Sequence, residues 1–187
     1  MLRILMVTVL MAGPLLAGAS MAEPVTGKVA KGQIFGTTAE VKIVDGIMPK
    51  DQAAALKTVL AGQPYYGAAA LSPDDGLMSE ATVLLANYHD IASASKAALA
   101  QCDAKRKGKT PCVIAATVQP KGWKQRQVQL SVDATKGFKT SYPASGGALA
   151  TSATTGGWAL GGVGAAALAA CAAQGKKPKD CAVVIAN

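Results

Sequence analysis

The sequence predicts an α+β domain made of two similar halves, each stapled by its own cysteine pair, and three observations predict it. An alanine-rich stretch ending in a cysteine, a basic loop and a second cysteine opening an apolar run appear at 98–115 and again at 167–184. One offset carries Cys102 onto Cys171 and Cys112 onto Cys181, so the match is of spacing as well as composition. Short windows of alternating and helical periodicity succeed one another in the same order on both sides of about residue 120. Half of the residues are apolar but only 4% are aromatic, so the core must come from small side chains, each of which buries little area.

Residues 1–22 read as a secretory signal peptide: Arg3 precedes an apolar run, and Ser20, Met21 and Ala22 place small residues at −3 and −1 of a cleavage site. Pro14 interrupts the run short of the ~20 residues that a spanning helix needs, and Ala19 stands where a lipid-anchored precursor would carry cysteine. The expected mature chain, 23–187, is one soluble domain of two pseudo-repeats, at about 36–118 and 125–187. Removal of Arg3 takes the formal charge from +8 to +7, a moderately basic balance well short of a nucleic-acid-binding extreme. The uncharged stretch 141–175 is mostly Ala, Gly, Ser and Thr, which contribute too little to insertion for a membrane span.

Each half is predicted to run strand, short helix, β-hairpin, Ala-rich helix, strand. Residues 23–32 are polar and expected to form a loose leader. Residues 38–45 alternate as a half-buried strand ended by Gly46. Pro49, Asp51, the apolar stripe Ala53, Leu56, Val59 and Leu60, and the Gly62–Pro64 stop mark a helix at about 50–61. Residues 65–71 form a strand, and Ser72, Pro73, Asp74, Asp75 and Gly76 a turn, with proline presetting φ and glycine supplying positive φ. A return strand falls within 77–88. Asp90 or Ser93 caps the helix that runs to Cys102, and Cys112 opens a strand to Val118. After a polar link the order restarts: an alternating strand at 126–133, a weaker helix at 134–142, a strand at 147–152, a turn at 153–157, a return strand from Trp158, a helix at 164–174 and a last strand at 181–186. Ser72 and Gly76 thus match Ser152 and Gly156.

Four cysteines in an exported chain are most simply two disulfides. Of the three connectivities, Cys102 with Cys112 and Cys171 with Cys181 is favoured, because each half then carries its own staple, worth roughly 3 kcal/mol in the chain-entropy account. Nine intervening residues, twice over, is the wrong spacing for a four-cysteine zinc site, and no metal is expected.

The run Tyr66-Gly67-Ala68-Ala69-Ala70-Leu71-Ser72-Pro73 followed by Gly76, the Ala-rich helix ending in cysteine, and Cys112-Val113-Ile114 resemble an uncharacterised repeat domain of small secreted bacterial proteins. The likeness covers about 65–118 and, in degenerate form, 147–186. It implies a secreted domain of unknown function. The two-copy form also resembles alphaproteobacterial proteins labelled 5-aminolevulinate synthase, an activity that holds pyridoxal phosphate through a lysine Schiff base in a much larger fold. The residues present no phosphate cradle and no partner for the pyridinium nitrogen. No active-site residue carries over, and no cofactor is expected.

His89, the only histidine, is the one imidazole that a small hydrolase could use. Its place between a strand and a helix reads as an exposed or capping residue, and a triad needs geometry rather than adjacency to Asp90 and Ser93. Asp74, Asp75 and Glu80 could pair for glycoside hydrolysis, but Asp74 and Asp75 read as turn formers. The remaining candidates are cationic. Lys105, Arg106, Lys107 and Lys109 lie in the first stapled loop and Lys176, Lys177 and Lys179 in the second, with Lys121, Lys124 and Arg126 following the first in sequence and Trp123 among them. Cations at helix ends complement the dipole. Two such loops held at matching positions also suit an anionic partner, an envelope polymer or lipid headgroups. The expected function is therefore non-catalytic binding or structural support in the periplasm or outside the cell, the alternative being an enzyme using His89 or the synthase of the labelled relatives.

Overall fold

A computed structural model describes residues 23–187; the signal-peptide reading of 1–22 lies outside the described residues. The chain forms α1 (Gly27–Gln33), β1 (Ala39–Ile43), α2 (Lys50–Leu60), β2 (Gly67–Leu71), β3 (Val83–Leu85), α3 (Ile91–Asp103), β4 (Val113–Pro120), α4 (Val132–Ser141), β5 (Ala148–Ser152), β6 (Trp158–Gly161), α5 (Gly164–Ala172) and β7 (Cys181–Ala186). The architecture is α+β with two separate antiparallel sheets, ordered β1-β4-β2-β3 and β6-β5-β7. The central strands β2 and β5 are buried at every position, so both of their faces are covered.

Small side chains decide how the helices pack. α3 lays Ala94, Ala98 and Cys102 on a strand of alanines, Ala68 to Ala70, and α5 lays Ala167 and Cys171 on Ala148, Ala150 and Ala159. At Gly161 the approach leaves no room for a methyl: a Cβ there would sit 2.4 Å from the Ala167 nitrogen. Each helix is then tied to the next strand by a disulfide, Cys102–Cys112 and Cys171–Cys181, both with Cα atoms 6.1 Å apart. The ladders slip at the same place in both sheets. Between Ala69 and Ala70 the partner strand skips Ala115, and between Leu149 and Ala150 it skips Val184. Each bulged residue stands three after its strand cysteine.

Two expected elements differ. Residues 126–133 do alternate, with Val128 and Leu130 buried, but they form no strand. They lie with Phe138 and Ile34 in the cluster around Leu149 and Ile185, and the Val128 amide donates to the Gln33 side chain. Alternation records half-burial, and an extended segment across a sheet's face has it as well as a paired strand. The leader is not loose either. Val25 bridges β7 in parallel, donating to Val184 and accepting from Ala186. Thr26 caps α1 through the Val29 amide. The N-terminal residues thus take part of the β7 edge that the first-half order would assign to residues 126–133.

The two sheets meet at a polar seam. Tyr65 donates to Thr135 at 3.2 Å, and Tyr66 to Gln129 at 3.2 Å. Asn87 exchanges bonds with the Asp133 carboxylate and amide. His89 stands at the centre and corrects the exposed or capping reading: it is 5% exposed. Its Nδ1 accepts from the Ser131 amide at 3.1 Å, which places the proton on Nε2, and Nε2 donates to the Gly157 carbonyl at 3.0 Å. Asp90, not His89, caps α3. With both ring nitrogens committed inside the protein, the imidazole has no free base to offer a substrate.

Burial lowers the His89 pKa from 6.5, so the fold holds it neutral. Below pH ~6.5 the unfolded chain therefore binds the extra proton, and stability that is complete above this value declines as pH falls toward the folded-state pKa. We predict that the melting temperature drops between pH 7.5 and 5, and that His89→Gln melts lower overall but loses that slope; an equal slope in the variant would refute the assignment. Gly161→Ala should cost about 1–3 kcal/mol, because the atoms it meets are helix backbone; unchanged denaturant midpoints would contradict the close packing.

Candidate functional site: two lysine-bearing clefts beside the stapled loops

The first stapled loop is held by carboxylates from the hairpin turn. Ser72 and Gly76 form that turn, with the Gly76 amide on the Ser72 carbonyl and Gly76 at φ 77°. Asp75 accepts from the Lys107 amide at 2.9 Å and the Gly108 amide at 3.1 Å. Asp74 accepts from the Thr110 amide and hydroxyl, both at 2.8 Å. These donors, the Thr110 amide foremost for Asp74 and the Lys107 amide foremost for Asp75, hold both carboxyls below the usual range. Asp103 closes the other side: it accepts from the Cys112 amide at 3.0 Å, which chiefly lowers its pKa, and from Arg106 Nε at 2.8 Å.

The second loop reverses the polarity of the clamp. Here the carboxylate belongs to the loop, and the turn supplies the donors. Asp180 accepts from the Ser152 hydroxyl at 2.6 Å, the Thr154 amide at 2.8 Å and the Thr154 hydroxyl at 2.7 Å. Burial raises its pKa, but those donors outweigh burial and leave it low. Gly156 repeats the turn of Gly76, with its amide on the Ser152 carbonyl and φ 71°. Lys177 takes a left-handed φ of 44° and donates its amide to Gln174, while Pro178 is buried.

These bonds sort the predicted cations. Arg106 is structural: beyond Asp103, its Nη1 donates to the Gly108 and Lys109 carbonyls at 2.7 and 2.8 Å. Lys105, Lys107, Lys109, Lys176, Lys177 and Lys179 are exposed. Lys121, Lys124 and Arg126 do not join the first loop. Between them runs β4, whose eight residues span roughly 26 Å and set them at the far end of the sheet. Arg126 is committed there, its guanidinium 3.7 Å from the Phe35 ring centre and bonded to the Gln33 carbonyl.

Two clefts open beside the loops, and several of their lining residues match when counted along the chain. The first, about 360 Å³, is lined by Asp75, Met78, Ser79, Glu80, Lys105 and Lys107. The second, about 330 Å³, lies between Asn87, Thr155, Trp158, Gln174 and Lys176. Measured from the turn serines, Asp75 and Met78 stand where Thr155 and Trp158 stand. Measured from the helix cysteines, Lys105 and Lys107 stand where Gln174 and Lys176 stand. Each cleft therefore joins a lysine five residues beyond its cysteine to an apolar side chain six beyond its serine. Met78 is 95% exposed at the lip of the first. Ser79 Oγ in that cleft is buried and is the one such side-chain polar atom among the described residues that lacks a hydrogen-bond partner.

No protein-family model, curated protein or solved structure matches this chain. Among the described residues, no group of three or more His, Cys, Asp or Glu side chains could hold a metal ion, and no helix is long and apolar enough to cross a membrane. Asp103, Asp180, Met78 and Ser79 were not singled out in the sequence. The available signal was positional: one aspartate directly follows Cys102 and the other directly precedes Cys181.

Asp75→Asn should weaken the hold on the first loop alone. We expect faster hydrogen exchange at the Lys107 and Gly108 amides with the Thr154 amide unchanged; equal exchange of all three in both proteins would show that the clamp does not restrain the loop.

Proposed function

We propose that this chain is a non-catalytic binding protein of an oxidising, extracytoplasmic compartment that takes anionic groups at its two lysine-bearing clefts. The observation that carries the reading is the first cleft, which holds the unpartnered Ser79 hydroxyl together with Lys105 and Lys107; of its two carboxylates, Asp75 is already bound to the Lys107 and Gly108 amides, and Glu80 stands opposite the lysines. A buried hydroxyl without a partner costs about 1–3 kcal/mol; an oxyanion in the cleft would draw on the two ammonium groups, and a turn of the Ser79 side chain would let its hydroxyl donate to the same anion. The corresponding Lys176 cleft makes the arrangement bivalent, which suits a repeating polyanion or a lipid headgroup surface better than a single small anion. Two intact disulfides fit the compartment. The clamps support the same reading: three aspartates satisfy loop amides and Arg106, leaving the exposed lysine ammonium groups outward.

The test is a salt titration of binding to phosphatidylglycerol vesicles and to polygalacturonate. Lys105→Gln, Lys107→Gln and Lys176→Gln combined should reduce the slope of log affinity against log salt by roughly one per lysine, by the counterion-release argument. Arg106 is left in place because its removal would open the loop. Identical affinity and slope in the triple variant would discard the proposal.

A further inference from the structure

At the far end of the first sheet, a strand's length from the first lysine cleft, a third hollow of about 420 Å³ is lined by Asp90, Ile91, Ala92, Trp123, Gln125 and Gln129, within the roughly 300–1,000 Å³ range of small-ligand sites. A smaller one of about 200 Å³ shares Asp90, Gln125 and Gln129 and continues past Gln127 to Thr151. Together they make a groove along the segment that was expected to be a strand and is not.

Its wall is built and oriented. Gln129 Oε1 accepts from Trp123 Nε1 at 2.8 Å and from the Tyr66 hydroxyl at 3.2 Å, which settles the orientation of the amide and leaves Nε2 as a donor without a protein partner among the described residues. Tyr66 itself is fully buried with φ 54°, a left-handed conformation that a bulky aromatic keeps only where its surroundings impose it. Gln125 is exposed, and its side chain makes no hydrogen bond among the described residues. Asp90 bonds Ser93 through both oxygens yet retains acceptor capacity, since a carboxylate has about four lone-pair sites.

We propose that this groove binds an uncharged sugar chain. The chemistry of the lining selects it. An indole with Ile91 and Ala92 offers a surface for the C–H face of a pyranose, whose slightly positive hydrogens meet the negative π-cloud. Two glutamine amides and one carboxylate offer the mixed donors and acceptors that hydroxyl groups need. An anionic ligand would meet Asp90. Arg126, the cation lining the smaller hollow, already stacks on Phe35 and bonds Gln33. A purely apolar ligand would leave both amides unpaired. This inference does not rest on the anion-binding reading.

The test uses the full chain carrying Trp158→Phe, so that Trp123 is the reporting fluorophore, titrated with cellotetraose, laminaritetraose, maltotetraose, mannotetraose and chitotetraose. At least one should give saturable Trp123 fluorescence change with a dissociation constant of about a millimolar or tighter, unchanged as salt is raised and unchanged by Lys105→Gln with Lys107→Gln. Trp123→Ala, read by calorimetry, and Gln125→Ala should each weaken it by about tenfold. Should Trp123→Ala fail to fold, Gln125→Ala, at an exposed position, carries the comparison. No saturable change with any of the five, or affinity unaffected by Gln125→Ala in a protein with an unaltered melting curve, would overturn the proposal.

Discussion

The close approach of an alanine-surfaced helix to an alanine-surfaced strand is the contact from which the rest of this structure follows. Ala94 and Ala98 against Ala68 to Ala70, and Ala167 against Ala148 and Ala150, bring backbone near backbone. Such a contact buries little area per residue and tolerates no added methyl where Gly161 meets α5. A disulfide across the end of each helix restrains the unfolded chain where the core itself offers modest burial. Because the staple ties the helix end to the strand that pairs with the hairpin, it also brings the loop it closes against the hairpin turn. The clefts exist because those two features meet.

The two clamps show how the same contact can be made by opposite chemistry. Turn and loop need a carboxylate between them to satisfy amides and hydroxyls that water would otherwise serve. In the first half the turn supplies it, as Asp74 and Asp75, and in the second the loop supplies it, as Asp180. Either solution keeps the lysines outside the clamp. The charge of the loops is therefore less concentrated than their composition suggests: Arg106 is spent on carbonyls and Asp103, and the cations after residue 120 stand a strand's length away.

The seam joins the elements around the two separate sheets. Its partners are polar and mostly specific: His89 between Ser131 and Gly157, Asn87 with Asp133, and the two tyrosines reaching Thr135 and Gln129. A neutral imidazole using both nitrogens cannot be protonated without losing the Ser131 bond. The strained Tyr66 and the forgone strand at 126–133 belong to the same seam, and both serve to set the Gln129–Trp123 wall.

Much of the architecture was legible in the sequence because it is recorded locally. Period-two and period-3.6 patterns, the Ser-to-Gly turns, the Asp90 cap and the cysteine spacing anticipate eleven of the twelve elements, all but α1, since each depends on residues close along the chain. What only the tertiary structure decided involves partners distant in sequence. The alternation of Val128 and Leu130 reported burial truthfully but could not say whether an edge or a face would cover them, because Val25 had taken hydrogen bonds on the β7 edge. His89 looked exposed for the same reason: its partners, Ser131 and Gly157, lie in the other half. The lysines were visible as charge, but which of them face a cleft depends on carboxylates contributed by a turn some thirty residues away, and hydrogen bonding at that range leaves no periodic trace in a sequence.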